Sequence, residues 1–159
     1  MNREELKTLL PHREPMLLVD EVELQEDGSS KGYYVIKGDE FFLQGHFPGN
    51  PIVPGVILCE ILAQSACVLL ADTISGKVLT LFTGLDKVRF KKQVKPGDVF
   101  ETKCEIIKSR APFYWAKGHG YVDGELCVQA EFSFAVVPEQ ASAESQQSQA
   151  ANAEGEKND

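Results

Sequence analysis

Two side chains in this sequence are placed to move protons. His46 lies within Gly45-His46-Phe47-Pro48-Gly49-Asn50-Pro51-Ile52-Val53-Pro54-Gly55, and Glu60 is the first carboxylate of the apolar stretch that follows. An imidazole takes or gives a proton near neutral pH, and a carboxyl desolvated among apolar residues favours its protonated form. Together they form a candidate acid/base pair, with a raised pKa expected for Glu60 and the glutamic acid as proton donor. Pro48, Pro51 and Pro54 each fix φ at about −65° and remove a backbone donor, so the loop has few alternative shapes and can hold His46 in place. Where a helix begins at Pro54-Gly55, the N–H groups of Gly55 and Val56 lack an intrahelical acceptor and lie at the positive end of the helix dipole. That suits a developing oxyanion. Gln64 stands four residues beyond Glu60, so its amide can orient the carboxyl without adding charge.

The plainer alternatives are a structural histidine beside aromatics and a merely satisfied buried carboxylate. Glu60 has no polar helix face to belong to, and His46 has its proline-pinned setting; both features favour function. His12, after a helix stop, and His119, between Gly118 and Gly120 in a strand, lack such a setting. Both read as structural, His119 at a bulge.

The elements that must position these groups follow from pattern. Asn2 caps a short helix through Leu10, which Pro11 ends. Met16 to Glu23 reads as a strand, Asp27-Gly28 as a turn and Tyr33 to Ile36 as the returning strand. Phe41 to Pro54 is a fixed, irregular loop. From Val56 to about Ile74 the residues form a helix buried all round. Strands follow over Val78–Thr83, Lys87–Val94, Val99–Lys108, Phe113–Val122 and Leu126–Val137, with Pro96-Gly97-Asp98 and Asp123-Gly124 as turns. One long apolar helix before a run of strands calls for an α+β fold with an antiparallel sheet and the helix on one face. The other face is then solvated or covered by a partner, which makes a dimer that continues the sheet plausible.

The 159 residues suit one domain, set at 1–138, with the polar segment 139–159 expected to be a disordered tail. A net charge of −8 argues against nucleic-acid binding. The early carboxylate and flanking strands argue against reading the apolar helix as a membrane span. Four cysteines without metal-like spacing read as buried free thiols in a reducing cytosol, and the charged N-terminus does not resemble an export signal. Lys87, Arg89, Lys91, Lys92 and Lys95 crowd one short stretch, with 87, 89 and 91 on one strand face. This is either a solvated edge or, with Arg110, a docking patch for an acidic partner.

The segments Leu9-Leu10-Pro11-His12-Arg13, Leu17-Leu18-Val19-Asp20, Gly45 to Gln64, and Lys87 through Pro96-Gly97-Asp98 resemble the (3R)-hydroxyacyl-acyl-carrier-protein dehydratases of bacterial type II fatty-acid synthesis. The resemblance implies a hot-dog fold, in which a curved antiparallel sheet wraps a central helix, and a homodimer that assembles into a trimer of dimers. It implies cytoplasmic dehydration of (3R)-3-hydroxyacyl-acyl carrier protein to the trans-2-enoyl product, without metal or organic cofactor. The active site is shared between subunits, with His46 and Glu60 catalytic. By the same resemblance the Gly55 amide polarises the thioester carbonyl, and a carbonyl near Ile52 steers the histidine ring. Glutamate at the helix position, where isomerising sister enzymes usually carry aspartate, favours dehydration alone. Phe47, Ile61, Phe82 and Phe90 are candidate walls of an acyl tunnel, and Arg89, Lys91, Lys92, Lys95 and Arg110 are candidate carrier-protein contacts. A thioesterase and an acyl-thioester-binding regulator are the rival functions on this scaffold. The first hydrolyses with a carboxylate-activated water, and the second lacks an acid/base pair.

Overall fold

The computed structural model of the chain describes residues 1–74 and 76–139. The polar tail read over 139–159 lies, past Glu139, outside the described residues. Helix α1 (Arg3–Leu9) starts where expected: Asn2 accepts from the Glu5 N–H while the Glu5 carboxylate accepts from the Asn2 N–H, a reciprocal capping box. It buries Leu6 and leads into Met16–Asp20. That stretch is not the strand expected there. Leu17, Leu18 and Val19 are wholly buried, but the first strand, β1 (Glu21–Leu24), begins only after them. Burial alone produced the apolar pattern; the Leu18 N–H donates to the Gln64 side chain at 2.9 Å and not to a neighbouring strand.

Strands β1 and β2 (Ser30–Val35) form a hairpin in which the Asp27 carboxylate accepts from the Ser29 N–H and hydroxyl. The remaining strands are β3 (Val78–Phe90), β4 (Val99–Arg110), β5 (Phe113–Val122) and β6 (Glu125–Pro138). They pair antiparallel in the order β1-β2-β4-β5-β6-β3. Two strands expected at Val78–Thr83 and Lys87–Val94 are one, β3, whose register against β6 shifts between Phe82 and Gly84 and again between Asp86 and Arg89. The second bulge ends the simple alternation assumed for Lys87, Arg89 and Lys91; Lys87 has a positive φ, and Lys91 lies beyond the strand. The β5–β6 turn is the two-residue kind read from Asp123-Gly124, with both residues at positive φ. His119 pairs in register with Lys103 and Gln129, and the bulge falls just after it, between Gly120 and Tyr121.

Helix α2 (Gly55–Cys67) crosses the buried face of the sheet, touching β2, β4, β5 and β6. It is shorter than the helix expected to Ile74, because a 3-10 turn takes over at Val68–Leu70. From Leu58 onward every residue of α2 except Glu60 is buried, whereas Val56 in the first turn is 71% exposed. The approach to the sheet is tight: a Cβ on Gly118 would lie 3.2 Å from the Leu62 side chain, which would have to give way slightly. Ser65 fastens the helix, since its hydroxyl accepts from Thr102 Oγ1 at 2.9 Å and its carbonyl from Ser30 Oγ at 3.0 Å. With these partners, the buried hydroxyls avoid the cost of about 1–3 kcal/mol for each unpaired group. The result is the α+β fold expected, a curved antiparallel sheet around a central helix. Among the described residues no helix is long and apolar enough to cross a membrane.

Candidate active site

The loop before α2 presents His46 under visible backbone constraint. Gly45, Phe47 and Gly49 all have positive φ, 80°, 73° and 79°. Glycine adopts such values freely, but for phenylalanine they are strained. The prolines and the Val53 N–H, which donates to Val94 O at 2.9 Å, hold the loop in this shape. His46 Nδ1 lies 2.8 Å from Ile52 O, where the ring was expected. A carbonyl can only accept, so Nδ1 carries a proton, and in the neutral ring it is Nε2 that has the free lone pair a general base needs. The Phe47 ring lies against the imidazole with centroids 4.1 Å apart.

His46 opens onto a cavity of about 590 Å³ with Phe47, Gly55, Val56 and Phe90 in its wall. The Ile57 and Leu58 N–H groups both donate to Pro54 O, so the helical bonding of α2 starts there and the Gly55 and Val56 N–H groups stand without an intrahelical acceptor. A Cβ on Gly55 would meet Phe90 Cε1 at 2.6 Å, so glycine lets the aromatic close over the helix end.

Glu60 lies in a second, much smaller cavity of about 20 Å³, with His12, Gln64, Cys67, Thr80 and Phe82 around it. Gln64 takes the expected orienting position. It is 1% exposed; its Nε2 donates to Glu60 Oε1 at 2.9 Å and to Met16 O at 2.8 Å, and its Oε1 accepts from the Leu18 N–H. The same Glu60 oxygen faces His12 Nε2 at 3.2 Å. The raised carboxyl pKa expected from the sequence is reversed here. Burial does push it up, but the hydrogen bonds from His12 and Gln64, with the nearby imidazole charge, outweigh that and hold it below its ordinary value. Sequence reasoning missed His12 because its partner is 48 residues away, and read it as structural. The one hint was its place in Leu9-Leu10-Pro11-His12-Arg13, a segment already matched by resemblance.

Within one protomer His46 and Glu60 therefore line different cavities. Of the tunnel candidates, Phe47 and Phe90 line the His46 cavity and Phe82 the Glu60 cavity, while Ile61 is wholly buried and lines neither. Lys91 and Lys92 also line the His46 cavity, and Lys92 and Lys95 a neighbouring one. Arg89 donates to the Val88 carbonyl, and Lys92 pairs with Glu125. Arg110 does not join them. It pairs with Phe113, in the row of Ala135 and Leu81, whereas Arg89 lies in the row of Gln129, His119 and Lys103, toward the other end of the sheet. The four cysteines are free and buried, as expected, and burial pushes the Cys67 thiol up to about 12.

A sheet curved around one central helix defines a hot-dog domain, here with an imidazole at the helix entrance and a carboxylate one turn in as candidate base and acid. Residues 10–131 match the FabA-like domain, and the chain belongs to that family. It is 44% identical over 141 residues to the 3-hydroxyacyl-[acyl-carrier-protein] dehydratase FabZ of Clostridium beijerinckii, covering 86% of this chain and 99% of that one. The enzyme of the same name from Petrotoga mobilis is 46% identical over 132 residues, covering 82% and 94%. The dehydratase heterocomplex ApeI:P of Xenorhabdus doucetiae shares the fold with a TM-score of 0.73 at 19% identity, over 85% of this chain and 92% of that one. A thioesterase superfamily member from Thermus thermophilus does so with a TM-score of 0.66 at 10% identity, over 80% and 93%.

Proposed function

We propose that the chain removes water from (3R)-3-hydroxyacyl thioesters carried on acyl carrier protein, giving the trans-2-enoyl thioester of type II fatty-acid biosynthesis in the cytoplasm. The observation that carries the reading is the contact of His46 Nδ1 with Ile52 O: with Nδ1 so bound, Nε2 of the neutral ring is free to take a proton. The thioester carbonyl is held by the Gly55 amide, with the Val56 amide beside it, which acidifies the α-carbon. His46 Nε2 removes the α-proton, and the electron pair forms the new double bond as the β-carbon–oxygen bond breaks. Glu60 delivers a proton to the departing hydroxyl, which leaves as water. The His46 proton then returns to solvent, and the acid side regains one. No metal or organic cofactor is needed for these steps.

The two cavities belong to one site when two copies pair. β3 is an edge strand whose Leu81, Phe82, Leu85 and Phe90 are exposed. Its Thr80 and Phe82 border the Glu60 cavity and its Phe90 the His46 cavity. Antiparallel pairing of β3 with its copy about a two-fold axis near Leu85 sets one end of each strand beside the other end of its partner. That brings the imidazole of one subunit to the carboxyl of the other, and it covers an edge that would otherwise invite aggregation. Three such dimers form the hexamer. The acidic carrier docks at the cavity mouth on Lys91 and Lys92, with Arg89 and Lys95 alongside. Arg110 adds nothing within the protomer.

The test is to incubate the purified protein with a 3-hydroxyacyl thioester on its carrier while following enoyl absorbance and free thiol together. Absorbance without thiol is expected; thiol release without absorbance would identify a thioesterase and overturn the reading.

A further inference from the structure

The Glu60 carboxyl is reached by two side chains from the protein, Gln64 and His12. Three observations single out the second. His12 Nε2 lies 3.2 Å from Glu60 Oε1, the same oxygen that Gln64 binds. His12 Nδ1 is the one buried side-chain nitrogen or oxygen among the described residues without a protein partner, so the ring makes no structural hydrogen bond that would explain its burial. The backbone beneath the ring is fixed independently of it, by Arg13 donating to Leu10 O at 2.9 Å and to Lys7 O at 3.0 Å. A histidine kept for structure would use both nitrogens; this one directs its single contact at the acid.

We infer that His12 is a positioning residue for the dehydration: through Nε2 it fixes the Glu60 carboxyl and replaces the proton that Glu60 passes to the leaving hydroxyl. The inference rests on the assignment of Glu60 as the acid. In each turnover the doubly protonated His12 ring gives its Nε2 proton to Glu60 and is left neutral with its proton on Nδ1, and the Glu60 O–H bond breaks as water forms. The emptied imidazole then regains a proton from solvent while His46 releases the one it took. Within the protomer the other groups that face the pair supply no charge, and the proposed dimer brings it the imidazole of the other subunit. Cys67, from the same helix, is kept neutral by burial; β3 contributes Thr80 and Phe82, and β6 contributes Phe134. The active form of the pair thus carries one shared proton and loses activity as pH rises enough to remove it.

Replacing His12 by glutamine keeps an N–H toward Glu60 but removes the exchangeable proton. The proton then has Glu60 alone to hold it, so the alkaline fall in kcat moves to lower pH. For His12→Gln we expect kcat at pH 7 to drop by about tenfold or more and KM to stay within about twofold, with the alkaline limb displaced by more than about one pH unit. A wild-type alkaline limb, or an equal loss of kcat at every pH, overturns the inference. A measurement on the intact active site does not depend on that variant folding: the His12 ring is titrated by NMR in the wild-type protein and in Glu60→Gln. Coupling through a shared proton places the wild-type midpoint higher by more than about half a pH unit, and identical midpoints overturn the inference. Failure of the underlying assignment looks different. If Glu60→Gln turns over normally, Glu60 is not the acid; if it is inactive while His12→Gln keeps the wild-type limb, only the role of His12 is lost.

Discussion

The loop that carries His46 and the helix turn that carries Glu60 achieve opposite things with the same sequence neighbourhood. The loop is exposed, strained at Phe47 and open to a cavity of about 590 Å³; the helix turn is packed, hydrogen-bonded and faces only about 20 Å³. A general base needs a free lone pair and room for substrate, and rigid backbone supplies both once a single carbonyl fixes the tautomer. A carboxyl acid needs control of its protonation state, which only close neighbours can give. The proposed base is positioned by main chain, the proposed acid by side chains from elsewhere in the fold.

The sharpest way to break this contrast is to remove either group. His46→Ala and Glu60→Gln should each lower kcat on the order of a hundredfold or more in the enoyl assay. Near-normal turnover in one would leave the other without a partner and end the acid/base account.

Gln64 tests whether side chains really hold the acid. Gln64→Leu strands the Leu18 N–H, the Met16 carbonyl and one Glu60 contact, all in buried or partly buried surroundings. Unfolding in denaturant should show a loss of about 2–4 kcal/mol. A loss within error of zero would mean that the Met16–Asp20 segment is not fastened through this amide.

Gly55 tests the main-chain side. Gly55→Ala places a methyl 2.6 Å from Phe90 Cε1, so ring and helix end have to shift apart. The protein should fold, with kcat down by about tenfold through displacement of the amide from the thioester oxygen. Adding Phe90→Leu should recover part of that loss. Full activity in the single variant would remove Gly55 from the mechanism.

The smallest effect belongs to a site outside both regions. Ser29 hydroxyl and N–H, with Lys103 nearby, hold Asp27 at about 2 against an ordinary 3.8. A carboxylate lowered on folding contributes stability that is present above its unfolded value and lost as pH falls through its folded one. Asp27→Asn should therefore flatten the decline in the urea midpoint between about pH 4 and pH 2 and leave kcat unchanged. An unaltered slope would show that the turn bonds add nothing on folding.

The elements legible in the sequence were those whose signals are local. The Asn2 cap, the Asp123-Gly124 turn and the span of β5 were found from neighbouring residues alone. Met16–Val19 misled because an apolar run reports burial and not the partner of its backbone, which is a side chain on α2. The two bulges let β3 run on past an apparent break. The residues proposed for the site, His46, Glu60, Gln64 and Gly55, all lie in one continuous segment, which is why a candidate site could be drawn from sequence. His12 was not, because only folding brings it to Glu60, and with it the cause of the lowered carboxyl.

The central claim is that base and acid meet from different subunits, and mixing two dead variants tests it most directly. His46→Ala and Glu60→Gln protein are combined in equal amounts under conditions that exchange subunits, and dehydration of a carrier-bound 3-hydroxyacyl thioester is measured. Half of the dimers should be mixed and each should hold one intact site, so activity should rise from near zero to about a quarter of the wild-type value. Activity that stays at the sum of the two separate variants after verified exchange would contradict the account.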